Sequence, residues 1–239
     1  MKAIVLAAGR GSRMESGTAN IPKCMMTLGG ITLIDRCVDT LKQAGFEASD
    51  IGIVTGYKSE LIKIDGVKYF HNADWENTNM FVSLTMAEDW LKSEPCIVCY
   101  SDIVFSPDVV KLLMTSDSEL AITYYTGFWE LWSKRFENPL EDIETFKMRA
   151  GKLIEIGKKP IDKSEVEGQY MGLLRFTPAG WKISIDSLPA PKPTAKLDMT
   201  TLLQHLITLG HNIDVIKTGE LWLECDNQND ISIYERDFF

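Results

Sequence analysis

Apolar strand-like runs and helix-like segments alternate through the first half of the chain. In order they are residues 2–8, 33–42, 51–55, 68–71, 80–91, 96–100, 107–114 and 120–124. Such alternation predicts right-handed βαβ units, in which parallel strands are joined by helices that cover both faces of one sheet. Ligands in these sheets collect at the carboxyl ends of the strands, so the loops that follow the strands are the first places to search for function.

The second half of the chain has a different pattern. A hairpin is predicted from residues 145–149 and 152–156, followed by a strand at 169–176 and a helix at 200–209. We therefore expect an α/β protein with a Rossmann-like, mostly parallel sheet covered by helices on both faces, and a smaller β-rich lobe. All 239 residues form a single predicted domain, with a ligand-binding half at about 1–124 and the lobe at about 125–239.

Composition and charge exclude several classes of protein. A net charge of −9 and the lack of a basic stripe argue against a nucleic-acid partner. No apolar run reaches the roughly 18–20 residues of a membrane helix, so no membrane partner is expected. The five cysteines, an odd number, lie within apolar segments, and this predicts reduced thiols in a cytoplasmic protein.

The first strand runs into a glycine-rich loop that contains Gly9, Gly11 and Arg13. A dinucleotide fingerprint would need a third glycine where Met14 stands, and the G-K-[ST] of a P-loop is missing. The remaining interpretation is a triphosphate site. The glycines let backbone N–H groups approach the phosphates, while Arg13 and Lys23 offset their charge. An ordinary βα turn with surface cations is the alternative.

Two acidic segments end predicted strands. Asp102 follows the apolar run 96–100, and Glu224 and Asp226 lie at i and i+2, on the same face of a short strand. Carboxylates at strand ends are suited to hold Mg²⁺, which bridges phosphate oxygens in phosphoryl transfer. The alternative is capping, of the helix that begins near Pro107 by Asp102 and of the terminal helix by Asp226.

The stretch from Leu6 to Arg13, followed by Pro22-Lys23, resembles the L-A-A-G-x-G-[ST]-R … P-K signature of the nucleotidyltransferases that activate sugar 1-phosphates and phosphocholine. The resemblance implies catalysis by Arg13, Lys23 and Asp102, and binding of Mg²⁺ by Asp102 and Asp226, with Glu224 as a further candidate. The nucleotide-binding residues that it implies in this loop are Leu6, Ala7, Ala8, Gly9, Gly11, Ser12, Arg13 and Lys23.

A segment rich in amides follows the strand at 68–71. Asn77 and Asn79 have the donors and acceptors to recognise a pyrimidine, although Asn77 or Thr78 could instead cap the next helix. The string N-T-N-M-x-x-S-L, which ends with Ser83 and Leu84, resembles the corresponding segment of phosphocholine-type cytidylyltransferases. That resemblance implies CTP as the nucleotide and adds Ser83 to the site.

An aromatic cluster in the second half contains Trp129 and Trp132, which a helix would place on one face. Aromatic faces attract quaternary ammonium groups, so the cluster is a candidate choline box; core packing or a homodimer surface is the alternative. The segments around it resemble bacterial phosphocholine cytidylyltransferase-like proteins that serve surface-polysaccharide synthesis. The resemblance implies a small phosphorylated acceptor, phosphocholine-like or derived from an amino acid or amino alcohol, which contacts Lys147, Lys159 and Gln169.

Two other functions remain open from the sequence. A sugar-1-phosphate nucleotidyltransferase would use the same loop and metal ligands with UTP, dTTP or GTP. A non-catalytic nucleotide-binding subunit would have lost at least one of four residues that are all present, namely Arg13, Lys23, Asp102 and Asp226.

Overall fold

The computed structural model describes residues 1–11, 20–189 and 195–239. The strands are β1 (Lys2–Ala7), β2 (Thr27–Leu28), β3 (Ile31–Thr32), β4 (Ile51–Thr55), β5 (Lys68–His71), β6 (Cys96–Tyr100), β7 (Ile103–Val104), β8 (Leu120–Tyr125), β9 (Phe146–Arg149), β10 (Lys152–Ile156), β11 (Gln169–Phe176), β12 (Asp214–Thr218) and β13 (Leu223–Glu224). The helices are α1 (Leu33–Gln43), α2 (Met80–Thr85), α3 (Glu88–Ser93), α4 (Pro107–Met114), α5 (Phe128–Arg135), α6 (Pro178–Asp186), α7 (Met199–Thr208) and α8 (Gln228–Phe238).

Among the described residues, the main sheet has nine strands in the order β5-β4-β1-β6-β11-β8-β12-β10-β9. Only β10 and β11 run against the others, so the sheet is mostly parallel, as predicted. Strand β11 lies between β6 and β8, and strands from both predicted halves therefore share one sheet. In the described part of the chain, no helix is both long and apolar enough to cross a bilayer.

Alternation along β1 divides the core into two layers. Ala3 and Val5 face a cluster that includes residues of α1, α4 and α8, whereas Ile4 and Leu6 face residues of α2, α3, α6 and α7. A strand whose two faces are both buried must be apolar throughout, which explains the continuous hydrophobic run at the N-terminus.

The helix starts follow local capping chemistry. Ser106 caps α4, where Pro107 takes the first helical position, and Asn227 caps α8 in a reciprocal pair with Asp230. The alternative that Asp102 and Asp226 cap these two helices is therefore wrong. The predicted helical stretch 80–91 is interrupted at Met86 and Ala87, which separate α2 from α3.

Candidate active site

The loop after β1 packs against the stem of Lys23. Gly11 has a φ of +74°, and a Cβ at that position would lie 2.6 Å from Cβ of Lys23. Glycine is therefore required there both for its backbone conformation and for the close approach. Lys23 itself begins a 3₁₀ turn, Lys23–Met25, directly after Pro22. Ser12 and Arg13, which were predicted to bind the triphosphate, lie outside the described residues.

A short strand pairing brings the two acidic segments together. Asp102 comes two residues after the end of β6, and β7 then pairs antiparallel with β13, so that Glu224 lies opposite Ile103. The N–H of Cys225 donates a hydrogen bond to the carbonyl oxygen of Asp102 at 2.9 Å. This pairing holds Asp226 beside Asp102 although the two residues are far apart in sequence.

Lys23 lies between these two carboxylates. Its Nζ is 2.5 Å from Oδ2 of Asp102 and 2.8 Å from Oδ1 of Asp226. Burial alone would lower the pKa of Lys23, but the charges of Asp102 and Asp226 and the hydrogen bonds to them outweigh burial and raise it well above its ordinary value. Lys23 therefore stays protonated, and so positively charged, in a largely enclosed site.

Arg135 on α5 holds the other side of Asp226. Its side chain is fully buried, with Nε 2.9 Å from Oδ1 of Asp230 and Nη2 3.3 Å from Oδ2 of Asp226. Nη1 lies 3.6 Å from Oε2 of Glu224. Burial, together with the charge of Asp226, raises the pKa of Glu224 to about 8, even though Arg135 opposes this shift.

A cavity of about 320 Å³ lies at the carboxyl ends of β1 and β6. The predicted residues that line it are Leu6, Ala8, Gly9, Gly11, Lys23, Asn79, Ser83, Asp102 and Asp226. Residues that the sequence reasoning missed also line it: Trp75, Thr78, Met80, Tyr100 and Ser101. Two of them, Tyr100 and Ser101, come directly before the predicted Asp102. Two others, Trp75 and Thr78, lie on either side of the predicted Asn77. Nearness in sequence to a predicted residue is therefore the signal that could have identified them.

Two predicted nucleotide contacts are placed elsewhere. Ala7 is buried within β1, where its side chain joins the core. Asn77 is exposed and donates from Nδ2 to Oδ1 of Asp74 at 2.7 Å, so the structure does not place it in the cavity lining. Asn79, rather than Asn77 or Thr78, caps α2, and its Nδ2 donates to the carbonyl oxygen of Lys196 at 3.4 Å.

Asn72, which the sequence analysis did not select, orients two of the lining hydroxyls. It is 2% exposed, and its Nδ2 donates to Oγ1 of Thr78 at 2.9 Å and to Oγ of Ser83 at 3.0 Å. The hydroxyl of Thr78 in turn donates to the carbonyl oxygen of Asp74. A rigid polar wall of this kind can distinguish the polar edge of a bound base.

A second cavity of about 330 Å³ adjoins the first and shares Met80, Tyr100 and Asp226 with it. Its other lining residues are Asp142, Glu144, Gln169, Tyr170, Gly172, Asp198, Met199, Thr200 and Glu224. The predicted Gln169 and Glu224 are thus both part of this lining. Among the described residues, no lysine, arginine or histidine lines this cavity.

The prediction that Trp132 is an open aromatic face for a cationic head group is wrong. Trp132 is 1% exposed, stacks on Trp222 with ring centroids 5.6 Å apart, and donates from Nε1 to Asp142. Trp132 is buried because it lies on the face of α5 that packs against the core. Trp129, at the surface end of the cluster, lies beneath Nζ of Lys163 at 4.5 Å, and neither cavity includes it.

The two lysines that were predicted to contact the acceptor are also outside both cavity linings. Lys147 on β9 pairs with Glu155 at 3.0 Å and with Glu165 at 3.2 Å. Lys159 donates to the carbonyl oxygen of Glu141 at 2.5 Å. The sequence shows where these lysines lie relative to the predicted hairpin. It does not show the carboxylates and the carbonyl oxygen that bind their ammonium groups.

The chemistry of Asp102 and Asp226 fits a small divalent ion. Carboxylate oxygens are hard ligands, and Mg²⁺ is commonly held by one or two carboxylates together with substrate phosphates. Within the described ranges there is no group of three or more His, Cys, Asp or Glu side chains suited to hold a metal ion. Two carboxylates, with phosphate oxygens of a nucleotide as further ligands, would suffice for such an ion.

An α/β sheet with a glycine loop, a buried lysine and two carboxylates at its carboxyl edge can bind a nucleoside triphosphate and offset charge during phosphoryl transfer, as a nucleotidyltransferase requires. Comparison with known proteins agrees. Residues 3–151 match the family described as "MobA-like NTP transferase domain", and the chain belongs to this family.

The similarity to individual relatives extends over nearly the whole chain. The chain is 36% identical to a CTP:phosphoglutamine cytidylyltransferase of Campylobacter jejuni, covering 98% of each protein. It is 26% identical to the UTP–glucose-1-phosphate uridylyltransferase AglF of Haloferax volcanii, covering 91% of this chain and 88% of the relative. An inositol-1-phosphate CTP transferase from T. maritima has a similar fold, with a TM-score of 0.75 at 21% identity over 98% of this chain and 96% of that one.

Proposed function

We propose that this protein transfers CMP from CTP to a small phosphorylated acceptor and releases pyrophosphate. The observation that carries the proposal is the placement of Lys23 between Asp102 and Asp226, in a cavity at the end of β6. The similarity over 98% of the chain to a CTP:phosphoglutamine cytidylyltransferase supports both the nucleotide and a phosphorylated amino acid as acceptor.

The reaction needs no general base. The acceptor's phosphate group is mostly dianionic at neutral pH, because its second pKa is about 6. One of its oxygens attacks the α-phosphorus of CTP. The new P–O bond forms while the bond from the α-phosphorus to the bridging oxygen breaks, and that oxygen leaves with pyrophosphate. Lys23, and Arg13 by resemblance, would stabilise the negative charge that accumulates on pyrophosphate.

Asp102 and Asp226 would hold Mg²⁺. When bound, the ion supplies Lewis-acid charge neutralisation of the phosphate oxygens. Asp102 is fixed by its position after β6, and Asp226 by Arg135 and the pairing of β13 with β7. Both carboxylates are therefore oriented before the nucleotide binds, which reduces the reorganisation needed during the reaction.

Recognition of cytosine would fall to the polar wall of Thr78 and Ser83, which Asn72 orients, together with Asn79. CTP and UTP differ at one exocyclic group, an amino group in CTP and a carbonyl in UTP. A buried acceptor that pairs with the amino group would be left unsatisfied by the carbonyl, which costs about 1–3 kcal/mol. We therefore expect a higher kcat/KM for CTP than for UTP.

Pyrophosphate release with each nucleoside triphosphate, against a panel of phosphorylated amines, phosphorylated amino acids and sugar 1-phosphates, tests the proposal. We expect release with CTP and an acceptor from the first two groups. Preferred use of UTP, dTTP or GTP with a sugar 1-phosphate would instead support an activity like that of the Haloferax volcanii relative. No release with any pair would support a non-catalytic nucleotide-binding protein.

A further inference from the structure

The second cavity is strongly acidic. Asp142 and Glu144 reach it from the segment after α5, Asp198 from the residue before α7, and Glu224 from β13. It opens beside the catalytic carboxylates, because it shares Asp226 with the nucleotide cavity. An acceptor whose phosphate reaches the α-phosphorus of a nucleotide in the first cavity would therefore extend its other end into this cavity.

Structural roles account for two of these carboxylates but not for Glu144. Asp142 accepts a hydrogen bond from Nε1 of Trp132 at 3.0 Å, and Asp198 caps α7 by accepting from the N–H of Thr201 at 2.8 Å. Burial raises the pKa of Glu144, and the charges of Asp198 and Asp142 raise it further, against a hydrogen bond from Thr200. The charged form of Glu144 is thus disfavoured unless a cation enters the cavity.

Tyr170 is a second and independent sign of a ligand. Its side chain lines the cavity and is 8% exposed, yet its buried hydroxyl, which interacts with the hydroxyl of Tyr100, makes no hydrogen bond of regular geometry among the described residues. An unsatisfied buried hydroxyl costs about 1–3 kcal/mol, so a polar group is expected to reach it when the site is in use. The carboxylates indicate that this group is cationic.

We propose that the second cavity binds a positively charged nitrogen of the acceptor that carries N–H groups. The proposal rests on the proposed function and narrows its substrate class to phosphorylated primary amines and amino acids. Carboxylates can accept hydrogen bonds from an ammonium group with N–H, whereas a quaternary ammonium has none to donate. Of the two tryptophans that were predicted to attract a quaternary group, Trp132 is buried in the core and Trp129 lies outside the lining of this cavity.

A matched set of three acceptors separates charge from hydrogen bonding. The best amine-bearing acceptor of the panel is compared with its N-acetylated form, which lacks the charge, and its N-trimethylated form, which keeps the charge but has no N–H. We expect kcat/KM to be at least about 10²-fold higher for the free amine than for either derivative, because the acetylated form leaves the carboxylates without a counter-charge and the trimethylated form leaves them without a hydrogen-bond donor. This comparison uses the unmodified protein, so it does not depend on any variant folding.

Glu144→Gln tests the same claim from the protein side. It removes one charge with little change of shape, and we expect it to lower kcat/KM for the free amine at least about 10-fold through a raised acceptor KM, while the KM for CTP stays unchanged. Glu141→Gln is the control, since Glu141 is an exposed carboxylate that lies outside the cavity lining. Thermal unfolding of both variants shows whether they are folded.

The outcomes separate this inference from the proposed function. Equal kcat/KM for the three forms, or a best acceptor without an amine, would overturn the inference while leaving CMP transfer in place. A higher value for the N-trimethylated form would also overturn it and favour a choline-type acceptor. Lack of pyrophosphate release with every acceptor would instead contradict the proposed function itself.

Discussion

The ammonium group of Lys23 occupies the space between two carboxylates that a divalent ion would also bind. Its distances of 2.5 Å to Asp102 and 2.8 Å to Asp226 show that a protein cation already offsets part of the negative charge of this pair. A divalent ion close to that ammonium would be repelled. We infer that Lys23 must turn towards the nucleotide phosphates before both carboxylates can hold the ion.

Lys23→Met should therefore increase metal binding in the absence of nucleotide. Methionine keeps much of the side-chain length that packs against Gly11 but removes the charge. We expect Mn²⁺, titrated against the nucleotide-free protein, to bind at least about 10-fold more tightly to this variant than to the wild type. Lys111→Met, on the exposed face of α4, is the control. Equal Mn²⁺ affinity in all three proteins would show that Lys23 does not compete with the ion.

Gly11 and Gly9 have different reasons to be glycine, and alanine substitutions should separate them. Gly11→Ala places a side chain at φ +74° and 2.6 Å from Cβ of Lys23, so we expect a loss of at least about 1–2 kcal/mol in the free energy of unfolding. Gly9→Ala meets nothing within 4 Å and should not change stability. It should nevertheless weaken CTP binding if the phosphates approach the backbone there. Unchanged CTP affinity in Gly9→Ala would place the triphosphate elsewhere.

Two short elements near residue 230 complete the candidate active site. Strand β13 consists of only two residues, Leu223 and Glu224, and α8 begins soon after it, with Asp230 accepting hydrogen bonds from the N–H groups of Asp226 and Asn227. Arg135 on α5 ties these elements to the rest of the molecule by contacting both Asp226 and Asp230. The position of Asp226, which we propose as the second metal ligand, therefore depends on α5 and α8 as well as on the sheet.

Arg135→Met should destabilise the protein strongly. Removing Arg135 from this buried ion-pair network takes away the guanidinium that contacts Asp230 and one of the two cations beside Asp226, and such losses cost about 3–5 kcal/mol. Chemical denaturation measures the change, and Arg149→Met on the exposed end of β9 serves as the control. A loss below about 1 kcal/mol would mean that solvent or a cation compensates the carboxylates.

The elements that the sequence predicted well are those with strong local signals. The residue bounds of β4, β5, β6 and α4 are the ones predicted from the alternation of apolar runs. The acidic cavity could not be predicted, because Asp142, Glu144 and Asp198 come from loops with no common spacing and meet only through the fold. The tryptophans were misassigned for a related reason, since helical spacing places Trp129 and Trp132 on one face without saying what covers it.

At the scale of the whole molecule, the two cavities that we propose bind the nucleotide and the acceptor are built on a single sheet. Strand β11, from the second half of the chain, lies between β6 and β8 and supplies Gln169 and Tyr170 to the second cavity. Hydrogen bonds of β6 to β1 on one side and to β11 on the other connect the two halves through the core. Neither half can unfold without breaking these hydrogen bonds to the other.

We therefore expect the chain to unfold as one cooperative unit. Secondary structure measured by circular dichroism and tertiary packing measured by tryptophan fluorescence should give the same midpoint in denaturant. The tryptophans report on several regions, because Trp90, Trp132, Trp181 and Trp222 lie in the two core layers. Two separated transitions would indicate that the halves at about 1–124 and 125–239 are independent units.

The central claim is that Asp102 acts in the transition state of CMP transfer, and the rate of pyrophosphate release by Asp102→Asn tests it most directly. The measurement is made in a single turnover, at saturating CTP, acceptor and Mg²⁺, with Asp108→Asn on the exposed start of α4 as the control. We expect the Asp102 variant to react at least about 10²-fold more slowly than the wild type and the control, because it loses a main stabiliser of transition-state charge. A folded Asp102→Asn protein that releases pyrophosphate at nearly the wild-type rate would contradict the assigned active site.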